Sequence, residues 1–159
     1  EFWQLDGLKM EPKPLQKPHP PIWLGARHTN ALRRAVKHGD GWMGAGSSNT
    51  DSFVTAVEQT RMYLEEANRD PDSFTISKRV YVAVDNEEGR AEGRLKEWFG
   101  KRYGNADMAS AVSVWGSTAK VTEELAKITG SGAEMVLLNP AFDDMEHLDA
   151  LAEEVIPNF

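Results

Sequence analysis

The spacing of apolar and polar positions changes several times along the chain, and each change predicts an element. Ile22 to Leu24 is a short apolar run that ends at Gly25, as a strand buried on both faces would. A helical run from Thr29 to His38 follows, with Thr29 or Asn30 as its expected N-cap. The step Gly39-Asp40-Gly41 then leads into a second buried strand at Trp42 and Met43. From Asp51 the positions Phe53, Val54, Val57, Arg61 (by its stem) and Leu64 fall at helical spacing, until Asn68-Arg69-Asp70-Pro71 breaks the helix.

Phe74 to Val84 alternates instead. Phe74, Ile76, Val80, Val82 and Val84 share one face, and Thr75, Ser77, Arg79, Tyr81 and Ala83 share the other. Asn86 is the expected N-cap of a helix burying Ala91, Leu95, Trp98 and Phe99, and Arg102 to Val114 reads as a loop or lid. Gly116 and Ser117 open a helix with Val121, Leu125 and Ile128 inside, stopped by Gly130 and Gly132. A strand at Met135 to Leu138 and a last helix burying Met145, Leu148, Leu151 and Val155 complete the pattern. Four strands alternating with helices indicate a parallel α/β sheet. Before them, residues 1–19 contain Pro12, Pro14 and Pro18 among Phe2, Trp3 and Leu5, and read as an extended arm.

The first strand-turn-helix carries the clearest chemical signal. Gly25 and Ala26 leave little side chain between a ligand and the backbone. Unpaired amides at the helix start, beside Arg27 and His28, would make a phosphate cradle. A routine turn with a surface arginine is the structural alternative.

Composition narrows the partners. Net charge is −7 and no long basic run occurs, which argues against nucleic acid or an anionic membrane surface. There is no Cys, so thiolate metal sites and disulfides are excluded, and His19, His28, His38 and His147 lack metal-ligand spacing. No apolar stretch reaches the ~20 residues of a membrane span, and no signal peptide is recognisable, so a cytoplasmic location is expected. Asp143, Asp144 and Glu146 are expected to cap the last helix rather than to act as acid or base.

Pro20-Pro21-Ile22-Trp23-Leu24-Gly25, the Gly39-Asp40-Gly41-Trp42 step, and the ending from Gly132 through Leu138-Asn139-Pro140 to Leu151-Ala152-Glu153-Glu154-Val155-Ile156-Pro157 resemble the C-terminal half of luciferase-like monooxygenases. That family holds flavin-dependent enzymes, using FMN or the deazaflavin F420, on a TIM barrel. A full barrel takes ~250 residues. At roughly 30 residues or more per βαβ unit, this chain's 159 correspond to about four β/α units, so the resemblance implies residues 20–159 as the last four units of a (β/α)8 barrel. The opening Glu1-Phe2-Trp3, without an initiator Met, is what a cloned fragment, a truncated reading frame or a processed product would show.

The resemblance places the flavin phosphate on Gly25, Ala26, Arg27 and His28; many relatives have a second Gly where this chain has Ala26. It puts the ring beside Gly44, Ala45, Gly46 and Ser47, although small residues also suit a tight exit from a strand. It makes Arg79 and Tyr81 candidate contacts to substrate or flavin, the alternative being a structural ion pair with Tyr81 as packing. Much of the flavin wall and the usual catalytic residues come from the first barrel strands, so the chain alone is expected to be inactive. Its expected partners are flavin, a small organic substrate, and either an N-terminal half-barrel or a second copy of itself, since open sheet edges favour self-association into a homo-oligomer. Two alternatives stay open: a non-catalytic half-barrel for ligand binding or assembly, and another phosphate-binding TIM barrel enzyme.

Overall fold

The computed structural model describes residues 2–159. Residues 2–19 form no regular element and their side chains are exposed throughout. The remainder is one five-stranded parallel sheet with helices on both faces. Strands β1 (Trp23–Ala26), β2 (Gly41–Gly44) and β3 (Thr75–Val84) pair in sequence order. Two further strands, β4 (Ser113–Gly116) and β5 (Met135–Pro140), both pair with β3. Tyr81 and Val82 pair with both of these strands, so β4 and β5 lie on opposite edges of β3. β2 and β4 therefore follow one another along a single edge, on Thr75 to Lys78 and Tyr81 to Val84 respectively.

The glycines around Asp40 are tied to this pairing. Asp40 accepts the Ile22 amide on its carboxylate at 2.7 Å and donates its own amide to the Ile22 carbonyl at 2.7 Å, while its carbonyl receives the Thr75 amide. A Cβ at Gly41 would stand 2.9 Å from both the Thr75 carbonyl and Trp23 Nε1, so three strands can only meet this closely around a residue with no side chain. Arg69 closes the same corner, donating to the carbonyls of Val36 and Gly39 at the end of the first helix.

Helices α1 (Thr29–His38), α2 (Thr50–Glu66) and α5 (Thr118–Gly130) cover one face. Their Leu32, Val36, Phe53, Val57, Val121, Leu125 and Ile128 form the main core with Trp42, Ile76, Val80 and Val82 of the strands. Ser117, at the helix opening read from the sequence, caps α5, its hydroxyl accepting the Lys120 amide. The long helix α3 (Glu88–Tyr103) packs on the opposite face. There Ala91, Leu95 and Phe99 meet Tyr81 and Ala83, with Ala109 of the short helix α4 (Met108–Val112) and half-buried Trp98.

Four sequence expectations change. The cap of α1 is His28, whose side chain makes no capping bond, not Thr29 or Asn30. α3 begins after Glu87 rather than at Asn86. The segment Arg102 to Val114 is not a loop: it contains the end of α3, all of α4 and the start of β4, a strand whose four residues are too few to show a period. In the last helix α6 (Asp144–Ala150), Met145 and Leu148 are exposed, and the buried row is His147, Leu151 and Val155. That row has a spacing of four because the helix continues into a π-turn over Leu151–Val155, which shifts the buried stripe by a residue.

Candidate functional site

Registered partners in a sheet share a face, so the pairing dictates which side chains converge. Gly25 is opposite Met43, Met43 opposite Ser77, Arg79 opposite Leu137, and Tyr81 opposite Asn139. At the C-terminal ends of the strands this face opens into a cavity of about 480 Å³. Trp23 and Gly25 of β1 and Met43 of β2 form one wall, and the exit loop Ala45 to Ser47 forms the floor. Arg79 and Tyr81 of β3 stand opposite, with Tyr103 of α3 and Met108 of α4 as the roof.

Two of the cavity's glycines differ physically. Around Gly25 a Cβ would meet nothing within 4 Å, so the missing side chain is open cavity. At Gly46 a Cβ would stand 2.8 Å from Tyr81 Cε2, so the missing side chain is what allows the loop to touch the Tyr81 ring. That ring is fixed by Phe99 (centroids 4.9 Å apart), Trp98 (5.4 Å) and Tyr103 (6.4 Å).

Arg79 has no carboxylate partner among the described residues, so the alternative of a structural ion pair finds no acid here. Its Nε and Nη2 donate to Asn139 Oδ1 at 3.1 and 2.8 Å, and Nη2 also donates to the Tyr81 hydroxyl at 2.6 Å. The Tyr81 and Tyr103 hydroxyls are 2.5 Å apart. Burial, then the bond to Tyr103, pushes the Tyr81 phenol above its usual range, against the opposing pull of Arg79. Tyr81 therefore keeps its proton near neutral pH, and the cavity presents a guanidinium beside a neutral phenol.

Just beyond β1 lies the turn on which the sequence led us to expect an anion. The Ala31 and Leu32 amides both donate to the His28 carbonyl at 2.8 and 2.9 Å. The Thr29 and Asn30 amides have no partner among the described residues, and no acidic side chain occupies the first turn of α1. Arg27, His28, Thr29 and Asn30 border a groove of about 460 Å³ whose far side is Ser52, Thr55 and Gln59 of α2. Uncapped amides, a positive helix end and a guanidinium together favour an anion here.

The structure thus brings Gly25, Ala45, Gly46, Arg79 and Tyr81 into one cavity and sets Arg27 and His28 on a separate groove just after Gly25 in the chain. Ala26 turns away: its methyl is buried on the helix side and its carbonyl accepts the Trp42 indole N–H at 3.0 Å. Trp23 as a cavity wall, and Tyr103 and Met108 inside the supposed loop, are cavity residues that the sequence did not single out. Nor did it single out Lys78, a 2% exposed lysine on the opposite face of β3. Its ammonium donates to the carbonyls of Ala45 (2.6 Å) and Ser48 (2.8 Å) and to the Ser48 hydroxyl (3.1 Å). Burial pushes it down to about 8.

Asp143 is not a conventional cap. It sits at the start of α6 with φ +48°, makes no side-chain capping bond, and gives its carboxylate to Arg94, which holds it below the usual carboxylate range. His147 is buried, with Nδ1 3.0 Å from the Asp143 carbonyl. Among the described residues no group of three or more His, Cys, Asp or Glu is placed to hold a metal, and no helix is long and apolar enough to cross a membrane.

Comparison with known proteins bears on the fold and the family. Over 39 residues, 24% of this chain, the sequence is 49% identical to the oxygenase component of the flavin-dependent trigonelline monooxygenase of Acinetobacter baylyi, of which that stretch is 11%. Coenzyme F420-dependent tetrahydromethanopterin reductase from Methanopyrus kandleri superposes on 87% of the chain with a TM-score of 0.69 at 21% identity. Monooxygenase RslO1 from Streptomyces bottropensis covers 99% of it with a TM-score of 0.68 at 22% identity. The chain spans about half the length of these two proteins, 51% and 54% respectively, so the match is to part of a larger fold. The sequence profile described as luciferase-like monooxygenase matches residues 1–154, and the chain belongs to that family of flavin- and F420-dependent monooxygenases and oxidoreductases.

Proposed function

We propose that residues 20–159 supply the last four β/α units of a flavin-dependent oxidoreductase barrel, with residues 1–19 as an arm entering it. The cofactor is FMN, with F420 as the alternative. Its phosphate would lie over the start of α1, on the Thr29 and Asn30 amides with Arg27 and His28, and its ring in the cavity floored by Ala45 and Gly46 and walled by Gly25. The observation that carries this reading is an uncapped, acid-free helix start only a few residues after Gly25, where the cavity is left open. When bound, the cofactor supplies the redox chemistry, and this chain positions it.

Arg79 and Tyr81 are the proposed contacts to substrate or ring. The guanidinium, held by Asn139 without an acid partner, keeps its charge available to an anionic group, and Tyr81 offers a proton that its surroundings keep on the oxygen. In this reading the remaining barrel strands would complete the site from an N-terminal half or a second copy, meeting the outer edges of β1 and β5. Exposure of Met135 (50%) and Leu137 (46%) beside the cavity supports a covered face there. Alone, the chain would bind without turnover.

The test is titration of the chain with FMN and with F420, followed by their fluorescence, alongside Arg27→Ala. Saturable binding of one of them, weakened tenfold or more by the substitution, is expected. Binding of neither flavin would remove this chain's independent claim to the phosphate site.

A further inference from the structure

The even-numbered row of β3 faces the helices, and Lys78 is the charged member of that otherwise largely apolar row. Burying an ammonium without a carboxylate is costly, and none of the described acids comes within ion-pairing distance of Lys78. Its hydrogen bonds go elsewhere. The turn from Ala45 to Ser48 is closed by the Ser48 amide and hydroxyl, which both donate to the Ala45 carbonyl at 3.1 and 2.8 Å. Lys78 Nζ donates to the carbonyl at each end of that turn, and to the Ser48 hydroxyl. The stem is equally confined: its Cδ would lie 3.2 Å from a Cβ at Gly44, and Nζ is 5.7 Å from the Phe53 ring centroid.

The other side of the same turn is the floor of the ligand cavity, and Gly46 presses on Tyr81 from it. From these contacts we infer that Lys78 is a positioning residue, acting through the sheet from the helix side: its three donors hold the 45–48 turn where the cavity stays open and Gly46 stays against Tyr81. A neutral amine has two donors for the same three acceptors, so the hold weakens when the ammonium loses a proton. The other ionisable side chains bordering the small space around Lys78 are Asp51 of α2 and Glu124 of α5, both retained in the variants below. The inference rests on reading the cavity as the flavin site, but the hold on the turn can be measured without flavin.

The experiment uses the whole chain as wild type, Lys78→Met and Lys78→Arg, each checked for folding by circular dichroism. Amide hydrogen exchange over residues 44–49 is followed at pH 7 and pH 9, corrected for the intrinsic pH dependence of exchange. FMN and F420 affinities are measured at the same two pH values. Lys78→Met should exchange at least tenfold faster over 44–49, with β1 and β5 unchanged, and should bind the preferred flavin at least tenfold more weakly. Wild-type affinity should fall several-fold from pH 7 to pH 9, the Met variant should lack that dependence, and the Arg variant should restore slow exchange. Unchanged exchange in the Met variant overturns the inference, as does a wild-type pH dependence that the variant retains. If the wild type binds neither flavin, the cofactor reading fails while the exchange result still decides whether Lys78 holds the turn. If the Met variant does not fold, the wild-type exchange at the two pH values decides.

Discussion

Gly25 and Gly46 belong to the same cavity, yet adding one methyl to each should move stability in opposite directions. At Gly46 the new carbon would lie 2.8 Å from Tyr81 Cε2, 3.3 Å from Cδ2 and 3.5 Å from Arg79 Cδ. Tyr81 cannot retreat, because Phe99, Trp98 and Tyr103 surround its ring and its hydroxyl is bonded to Arg79 and Tyr103. Overpacking of this kind costs about 1–3 kcal/mol. Gly→Ala itself returns ~0.4–1 kcal/mol by narrowing the unfolded ensemble, so Gly46→Ala should lose about 1–2 kcal/mol net. At Gly25 nothing lies within 4 Å and only the second effect operates, so Gly25→Ala should be neutral or stabilised by up to ~1 kcal/mol. Urea unfolding of the two variants beside the wild type reads the difference, which is the overpacking cost of about 1–3 kcal/mol. A Gly46→Ala protein as stable as Gly25→Ala would refute the wedge between the loop and Tyr81. Gly25→Leu extends the argument: it should fold normally and lose flavin affinity, because its side chain projects into the cavity.

Further outcomes follow from the same geometry. Lys78 is pushed from 10.5 to about 8, so the unfolded chain holds more protons between those values and the folded chain should gain stability as pH rises through that window. Below pH 8 the burial cost is present in full, and a gap of about 2.5 units corresponds to ~3 kcal/mol. The unfolding free energy of wild type minus that of Lys78→Met should therefore climb by about 2–3 kcal/mol from pH 7.5 to pH 10.5; a flat difference would mean the ammonium is not buried as described. Trp42→Phe leaves the Ala26 carbonyl without its indole donor and should cost roughly 1–3 kcal/mol in the same assay, whereas no loss would show that bond to be dispensable. Arg94→Met breaks an exposed pair with Asp143 and should change stability by less than ~1 kcal/mol, so a larger loss would point to a tighter role for the Phe142 stacking. Sedimentation of the isolated chain should show self-association through the outer edges of β1 and β5, and a monodisperse monomer would sink that expectation.

The sequence exposed those parts of the molecule whose physics is local. Alternation across Phe74 to Val84 placed Arg79 and Tyr81 together on the cavity face because a strand has only two faces. The buried stripe of α5 and its start at Ser117 were legible for the same reason. What escaped depends on distant chain segments. Lys78 interrupts an apolar row, and the carbonyls that justify it lie some thirty residues upstream. Tyr103 and Met108 reach the cavity because α3 packs on the cavity face, which no period within α3 records. β4 is four residues long and is defined by its partner rather than by its own pattern. Met145 and Leu148 fit an ideal helical stripe, but the π-turn beyond them moved the buried row to His147.

Because β3 pairs with three other strands and its two rows serve unlike surroundings, its frame cannot slip. A shift of one residue would swing Arg79 and Tyr81 into the apolar layer beneath α2 and α5, and bring Lys78 and Val80 out toward the ligand. The turn from Ala67 to Phe74 therefore acts as a ruler. Its Arg69 is bonded to Val36, Gly39 and Ser73, and its Asp70 caps the 3-10 turn at Pro71–Ser73, so spare length has nowhere to be absorbed before β3 begins. Most surface connections tolerate insertions. This one should not: a single added residue would scramble the site from a distance, while the same insertion in the arm before Pro20 would leave every pairing in the sheet intact.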